Sequence, residues 1–287
     1  MKRLIVGLAG LFLAPALSAQ TPEQDVLKVV NQMFDGMRNA DSAAVRAVFA
    51  PGARFASIDA RVTPPSVRYD SVGGWITAIA GSNKRWNEQL YDVQVRVDGD
   101  MAHVWSPYTF YLDGQWIHCG VNSMELLKIN SAWKLTQVSD TRKREACRDP
   151  LGGGQRQQSP RPPAAAQSAE ADDKAIRTVI NLYFRGHATR MADTMRASFL
   201  PTAHIEGLRN GQFVSWTVDQ YVSSFKGDVP ADEASRTRVI DVVDRVGTAA
   251  MVKATLKHGA TTFTDYFVLL KVDGTWRIAN KVYHAQR

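Results

Sequence analysis

The 287-residue chain writes one β-hairpin twice, and that duplication limits its fold more than any other feature. The first copy runs from Ser123 to Val138 and the second from Tyr266 to Lys281. Both read Leu-Leu-Lys, a polar turn, then Trp, a basic residue and Leu or Ile. The offset from Trp133 to Trp276 is 143 residues (276 − 133). A second, ungapped match lies upstream at an offset of 150 (184 − 34). It sets Val29, Asn31, Phe34, Gly36, Arg46, Ala47, Phe49, Pro51 and Ala53 against Val179, Asn181, Phe184, Gly186, Arg196, Ala197, Phe199, Pro201 and Ala203. The chain is therefore expected to be one domain repeated, each copy long enough to close its own core.

The expected boundaries follow. Residues 1–19 read as a signal peptide: Lys2 and Arg3 are a positive start, Leu4 to Leu13 an apolar run too short to span a bilayer, and Leu17-Ser18-Ala19 a cleavage site. Residues 21–147 form the first domain and 171–287 the second. The Gly-, Gln- and Pro-rich stretch 148–170 reads as a disordered linker, because it has too little apolar surface to offset chain entropy. The expected location is periplasmic or secreted, with no stable membrane span after signal cleavage. In that setting the two cysteines, Cys119 and Cys147, are expected to be bridged.

The formal charge of +7 falls to +5 without Lys2 and Arg3 (7 − 2). The densest basic run, Arg142-Lys143-Arg144, has no interleaved aromatics, so no nucleic-acid partner is expected. GxGxxG, P-loop, GxSxG and HExxH patterns are missing, which removes the nucleotide, serine-hydrolase and zinc-protease readings. No cofactor and no metal are expected.

Each half reads as helices followed by a meander. Thr21-Pro22-Glu23-Gln24 is a helix start with a capping box. Val26, Val29, Val30, Met33, Phe34 and Met37 form one buried stripe, which Ile176, Val179, Ile180, Tyr183, Phe184 and His187 repeat. His187 falls in an apolar slot. Short second helices end near Phe49 and Phe199, and third helices are expected over Gly73 to Gly81, carrying Trp75 and Ile79, and over Val218 to Phe225, just after Trp216. Strands are expected near 90–97, 101–112, 116–129 and 133–141, and again near 236–246, 249–257, 261–272 and 276–284. The fold class is α+β: two cone-shaped domains, each of about three helices packed on a curved antiparallel sheet.

Two helices, a Phe-x-Pro-x-Ala corner, a third short helix and a meander ending in Trp-x-Leu or Trp-x-Ile resemble the nuclear transport factor 2-like superfamily. The first half resembles its SnoaL-like and ketosteroid-isomerase-like members. The second, with Gly211 to Tyr221 and the Lys281-Val282-Tyr283 ending, resembles the lumazine-binding-like branch. The resemblance implies a cone around a pocket. It does not single out a chemistry, since such folds host many functions.

Strand parity supplies a candidate site. With Asp273-Gly274-Thr275 as a three-residue loop, Tyr266, Val268, Leu270, Val272, Trp276, Ile278, Asn280, Val282 and His284 share the more apolar face, which is assigned to core and pocket. Asp265 and Lys281 then form a surface pair on the other face. The same register in the first half sets His103 opposite Glu125 and Trp105 opposite Ser123, with Gln137 next in the row. The candidate pocket residues are thus His103, Trp105, Glu125, Gln137, Tyr266, Asn280 and His284, with a Glu125–His103 acid/base pair as one reading. A slip of one residue would turn Tyr108, His118, Asn122 and Asp140 inward instead.

Three functions fit, in this order: a noncatalytic exported protein binding a small apolar or aromatic molecule; a cofactor-free acid/base enzyme of isomerase, cyclase or dehydratase type; and a protein-interaction module. The two halves are expected to pack as an intramolecular pseudo-dimer through the faces carrying Phe263, Phe267, Leu269 and Tyr283 on one side and Met124, Leu126 and Val138 on the other.

Overall fold

A computed structural model describes residues 20–63, 65–145, 147, 163–209 and 211–286, without the side chains of 163–168. The expected signal peptide lies outside the described residues, as do 148–162 of the expected linker. The first half contains α1 (Pro22–Arg38), α2 (Ser42–Ala47), β1 (Phe49–Asp59), β2 (Ser66–Ser71), α3 (Val72–Ala80), β3 (Trp86–Leu90), β4 (Gln94–Asp98), β5 (Met101–Leu112), β6 (Gln115–Ile129) and β7 (Ala132–Arg142). The second contains α4 (Pro163–Thr189), α5 (Ala192–Arg196), β8 (Phe199–Arg209), β9 (Gln212–Thr217), α6 (Val218–Val222), β10 (Thr237–Val246), β11 (Ala249–His258), β12 (Thr261–Val272) and β13 (Thr275–Gln286). The helix α4 begins eight residues inside the stretch read as linker. Ala164-Ala165-Ala166 and the residues after it are strong helix formers, and proline is tolerated at a first turn.

Local chemistry accounts for the elements. Thr21 and Gln24 close the capping box on α1, and the Asp41 carboxylate accepts from the amides of Ala43 and Ala44 at the start of α2. Each half is α+β, with its helices on one face of a curved sheet. The sheet is mixed and not wholly antiparallel: β1 runs parallel to β7, and β8 parallel to β13. The orders are β2-β1-β7-β6-β5-β3, with β4 also on β5, and β10-β11-β12-β13-β8-β9. The strand expected over 90–97 is two, β3 and β4, separated by a kink where Asp92 takes φ 44°.

The hairpins correct the expected parity. Asp273 and Gly274 both take positive φ (48° and 74°), as do Asn130 and Ser131 (49° and 64°), so these turns have two residues and not three. Val272 therefore pairs with Thr275 and Lys271 with Trp276. A bulge at Ala279 then restores Val268 to Asn280, and one at Thr136 restores Glu125 to Gln137. Two shifts of one residue cancel along the strand. The expected pairs His103–Glu125, Trp105–Ser123 and Tyr266–Val282 all occur.

Each bulge also divides the face expected to be continuous. Trp133, Leu135, Trp276 and Ile278 pack under the helices with Met124, Leu126, Phe267 and Leu269. Beyond its bulge, β13 turns Val282 to the opposite face, the one that unbulged β12 lines with Tyr266 and Leu270. There they form a third core with Met251 and Ala279, and with Ile58, Met101, Trp105, Val121 and Leu127 of the first half. The two sheets thus pack on each other, but through the faces opposite to those expected. Phe267, Leu269, Met124, Leu126 and Val138 are cone interior. The reason is that the helices cover one sheet face completely, leaving the other apolar face for the neighbouring domain.

Candidate functional site

The sequence-derived pocket residues come together, but in the seam between the domains and not inside a cone. His103, Glu125 and Gln137 point from the first sheet towards Tyr266 and Asn280 of the second. The His103 and Tyr266 rings stack at 5.7 Å, and the Asn280 amide donates to Glu125 at 2.8 Å. His103 bonds Ser123 at 2.8 Å, so the expected Glu125–His103 acid/base pair is not formed. Trp105 is buried in the same seam, and His284 lies against Gly99 in the β4–β5 turn, where an added Cβ would come within 2.7 Å of the imidazole. No wall of this set opens on the cone described next.

The cavity is in the first cone, lined by the alternative set. It has a volume of about 270 Å³, just under the usual range for small-molecule sites. Its walls are Phe55, Trp75, Trp86 and Phe110 with Met33, Phe34, Met37 and Val138; its polar end is Glu88, Tyr108, His118, Asn122, Asp140 and Arg142. Strand β3 delivers Glu88, β5 Tyr108, β6 His118 and Asn122, and β7 Asp140 and Arg142. Tyr108, Asn122, Asp140 and Val138 share the helix-covered face because the bulges reset parity.

The polar end is closely connected. Asn122 Nδ2 donates to Glu88 Oε1 at 2.5 Å. The Asp140 carboxylate accepts from Ser57 Oγ, from Tyr108 OH at 3.1 Å and from Arg142 Nε at 2.8 Å. Burial pushes the Glu88 carboxyl up to about 8, partly opposed by the Asn122 hydrogen bond. Burial, with Arg142 and Arg61 nearby, pulls His118 down to about 4, and the Tyr108 phenol is raised, again chiefly by burial. At neutral pH the site therefore offers a protonated carboxyl and a neutral imidazole, while Asp140–Arg142 and Asp59–Arg61 pair internally. Glu88 was not visible as a site residue, because it sits on a short edge strand with no partner in the repeat.

The second cone is built differently at the same positions. The offset of 143 sets Asn122 against Asp265, Val138 against Lys281 and Asp140 against Tyr283. Lys281 Nζ bonds Asp265 at 2.9 Å and Tyr183 OH at 2.7 Å. Its ammonium also lies 5.1–5.9 Å from the ring centres of Tyr183, Tyr221, Phe267 and Tyr283. The Asp265–Lys281 pair, expected on the surface, is buried, with side chains 1% and 5% exposed. His187, in its apolar slot, bonds the hydroxyls of Tyr183 and Tyr221 at 2.9 and 3.0 Å. Cys119 and Cys147 form the expected disulfide, with Cα atoms 5.7 Å apart. Among the described residues, no group of His, Cys, Asp and Glu could hold a metal, and no helix is long and apolar enough to cross a membrane.

Fold and site define a tandem of two α+β cones of the nuclear transport factor 2-like class. Residues 26–139 match the family described as SnoaL-like domain, and residues 171–284 match the family described as "Putative lumazine-binding". A curated relative, an aldolase named FrzH from Cladobotryum sp., is 26% identical over 92 residues, which is 31% of this chain and 72% of that one. Among solved structures, an NTF2-like protein of unknown function from Shewanella baltica is 25% identical, with a TM-score of 0.38, over 41% of this chain and 96% of its own. Another from Methylobacillus flagellatus is 28% identical, with a TM-score of 0.38, over 41% and 94%.

Proposed function

We propose that the protein binds a small, uncharged, largely aromatic or apolar molecule in the cone of its first domain, outside the cytoplasm. The observation that carries this reading is the cavity of about 270 Å³, whose aromatic walls converge on Glu88 and Asn122. Aromatic walls supply most of the affinity, and a few fixed polar groups set orientation. A protonated Glu88 donates a hydrogen bond, and His118 and Tyr108 add polar contacts, so a ligand carrying a carbonyl or hydroxyl at one end fits. The second cone fills the equivalent space with Lys281, which supports a structural role for that half. Export is supported by the Lys2–Arg3 start, the Leu4–Leu13 run and the Cys119–Cys147 disulfide.

The second reading is a cofactor-free acid/base enzyme. It is favoured by two carboxyls in unlike surroundings at one end of a cavity, Glu88 half-buried beside an amide and Asp140 held by Arg142. A thermal-shift screen of neutral aromatic ketones and phenols tests the binding reading. Hits are expected with the wild type and lost with Val138→Phe, which fills the cavity; equal shifts for both proteins would refute it. Turnover of a hit by the wild type but not by Glu88→Gln would favour the enzyme reading.

A further inference from the structure

A polar row crosses the first sheet where it faces the second. Arg54 pairs with Gln137, Gln137 with Glu125 and Glu125 with His103, on β1, β7, β6 and β5 in turn. Glu125 and His103 are 0% exposed and Gln137 2%. Across the seam, Asn280 Nδ2 donates to Glu125 Oε2 at 2.8 Å and reaches Glu206 Oε2 at 3.5 Å. Arg54 donates to Asn280 Oδ1 at 2.9 Å and to Glu206 Oε1 at 3.3 Å, and Ser215 donates to Glu206 at 3.0 Å. Glu206 thus has a guanidinium and a hydroxyl, while Glu125 has one neutral amide.

Besides the Arg54 Nε donor at the end of the row, three buried atoms of this row find no hydrogen-bond partner among the described residues: Glu125 Oε1, Gln137 Oε1 and His103 Nδ1. They are neighbours in the row. Two are acceptors outright. The third is an acceptor when His103 Nε2–H donates to Ser123. A carboxylate in the middle would be a buried charge beside acceptors, an arrangement proteins avoid. One proton on Glu125 Oε1 makes it a donor to a row neighbour and removes the charge.

We propose that Glu125 carries a proton in the docked two-domain chain, so that packing of the two halves is coupled to proton uptake. The surroundings favour it. Burial and the nearby Glu206 carboxyl push Glu125 up to about 8, outweighing the Asn280 hydrogen bond and the Arg54 guanidinium, which oppose them, and burial raises Glu206 as well. His103 contributes no opposing charge, because burial and Arg96 lower it to about 3. The other groups facing the row are Arg54, His204, which contacts Arg54, and Tyr266, above which Lys253 lies at 5.8 Å; Asp98 and Asp241 act on Tyr266 from further out.

The sign follows. A solvated Glu125 loses its proton near the ordinary glutamate value, and the docked one near 8. Between these values the docked form holds the extra proton, so packing weakens tenfold for each pH unit of rise. Below that window packing is strongest, and above it packing is weaker and flat.

Infrared spectroscopy of the full chain with isotope-labelled glutamate tests this. Because Glu88 is likewise held up to about 8, the reference is Glu88→Gln: it should show a protonated-carboxyl C=O band at neutral pH that fades with a midpoint near 8, and adding Glu125→Gln should remove the band. The ratio of unfolding constants, wild type over Glu125→Gln, should rise tenfold per pH unit across the same window. No band in Glu88→Gln at pH about 6, well below the expected midpoint, overturns the proposal even if the double variant fails to fold. In that background, a band that survives Glu125→Gln and disappears with Glu206→Gln also overturns it, since the proton then sits across the seam.

Discussion

The Asn122 amide donates to the Glu88 carboxyl at 2.5 Å, joining two strands at the polar end of the first cone. The bond stabilises the ionised form, but burial outweighs it and leaves Glu88 protonated up to about pH 8. A ligand that accepts a hydrogen bond from Glu88 should therefore bind fully below that value and weaken as pH rises through it. Affinity measured by titration calorimetry should lose this pH dependence in Glu88→Gln.

In the second cone a like position does the opposite work. Asp265, the counterpart of Asn122, neutralises Lys281 among four rings. Removing one member of a buried pair strands the other, so Lys281→Met should cost about 3–5 kcal/mol. Lys281→Met with Asp265→Leu should recover much of that loss. Denaturant unfolding of the two variants measures it.

The seam and the cones should respond differently to a buried charge. Phe267 is 0% exposed and packs edge-on to Tyr183 at 5.0 Å, so Phe267→Asp should unfold the second domain. Leu270, also 0% exposed, belongs to the seam core. Leu270→Asp should separate the halves while each keeps its secondary structure. Small-angle scattering should then show a larger radius with an unchanged circular dichroism spectrum.

The Cys119–Cys147 bridge closes a separation of 28 residues. On the loop-entropy model its loss costs about 3–4 kcal/mol. Mild reduction should lower the first domain's unfolding free energy by that amount, and thiol titration of denatured, unreduced protein should find no free thiol.

The fold was legible because the duplication confirms itself: Trp133 and Trp276, or Phe34 and Phe184, can match only if the elements around them match. The strand pairing was legible past the turns for a less direct reason, the cancelling of a two-residue turn by a one-residue bulge. What the pattern did not show was which face the helices cover. Tyr266, Val268 and Leu270 are as apolar as Phe267 and Leu269, since both faces of these sheets are buried, so alternation carried no direction. His103, Trp105, Glu125 and Asn280 thus meet in the seam, on the sheet face away from the helices and not inside a cone. Lys281 and Asp265 misled in the same way, because charge usually marks a solvated face and here marks a buried pair. Glu88 left no trace, having no repeat partner and no motif.

The central claim is that the first cone holds a small molecule. Native mass spectrometry of the protein purified from its own host tests it most directly. The wild type should carry an added mass of a single small molecule, released on denaturation, and Val138→Phe should be bare. A wild-type protein at its bare mass, or an adduct that persists unchanged in Val138→Phe, would contradict the account.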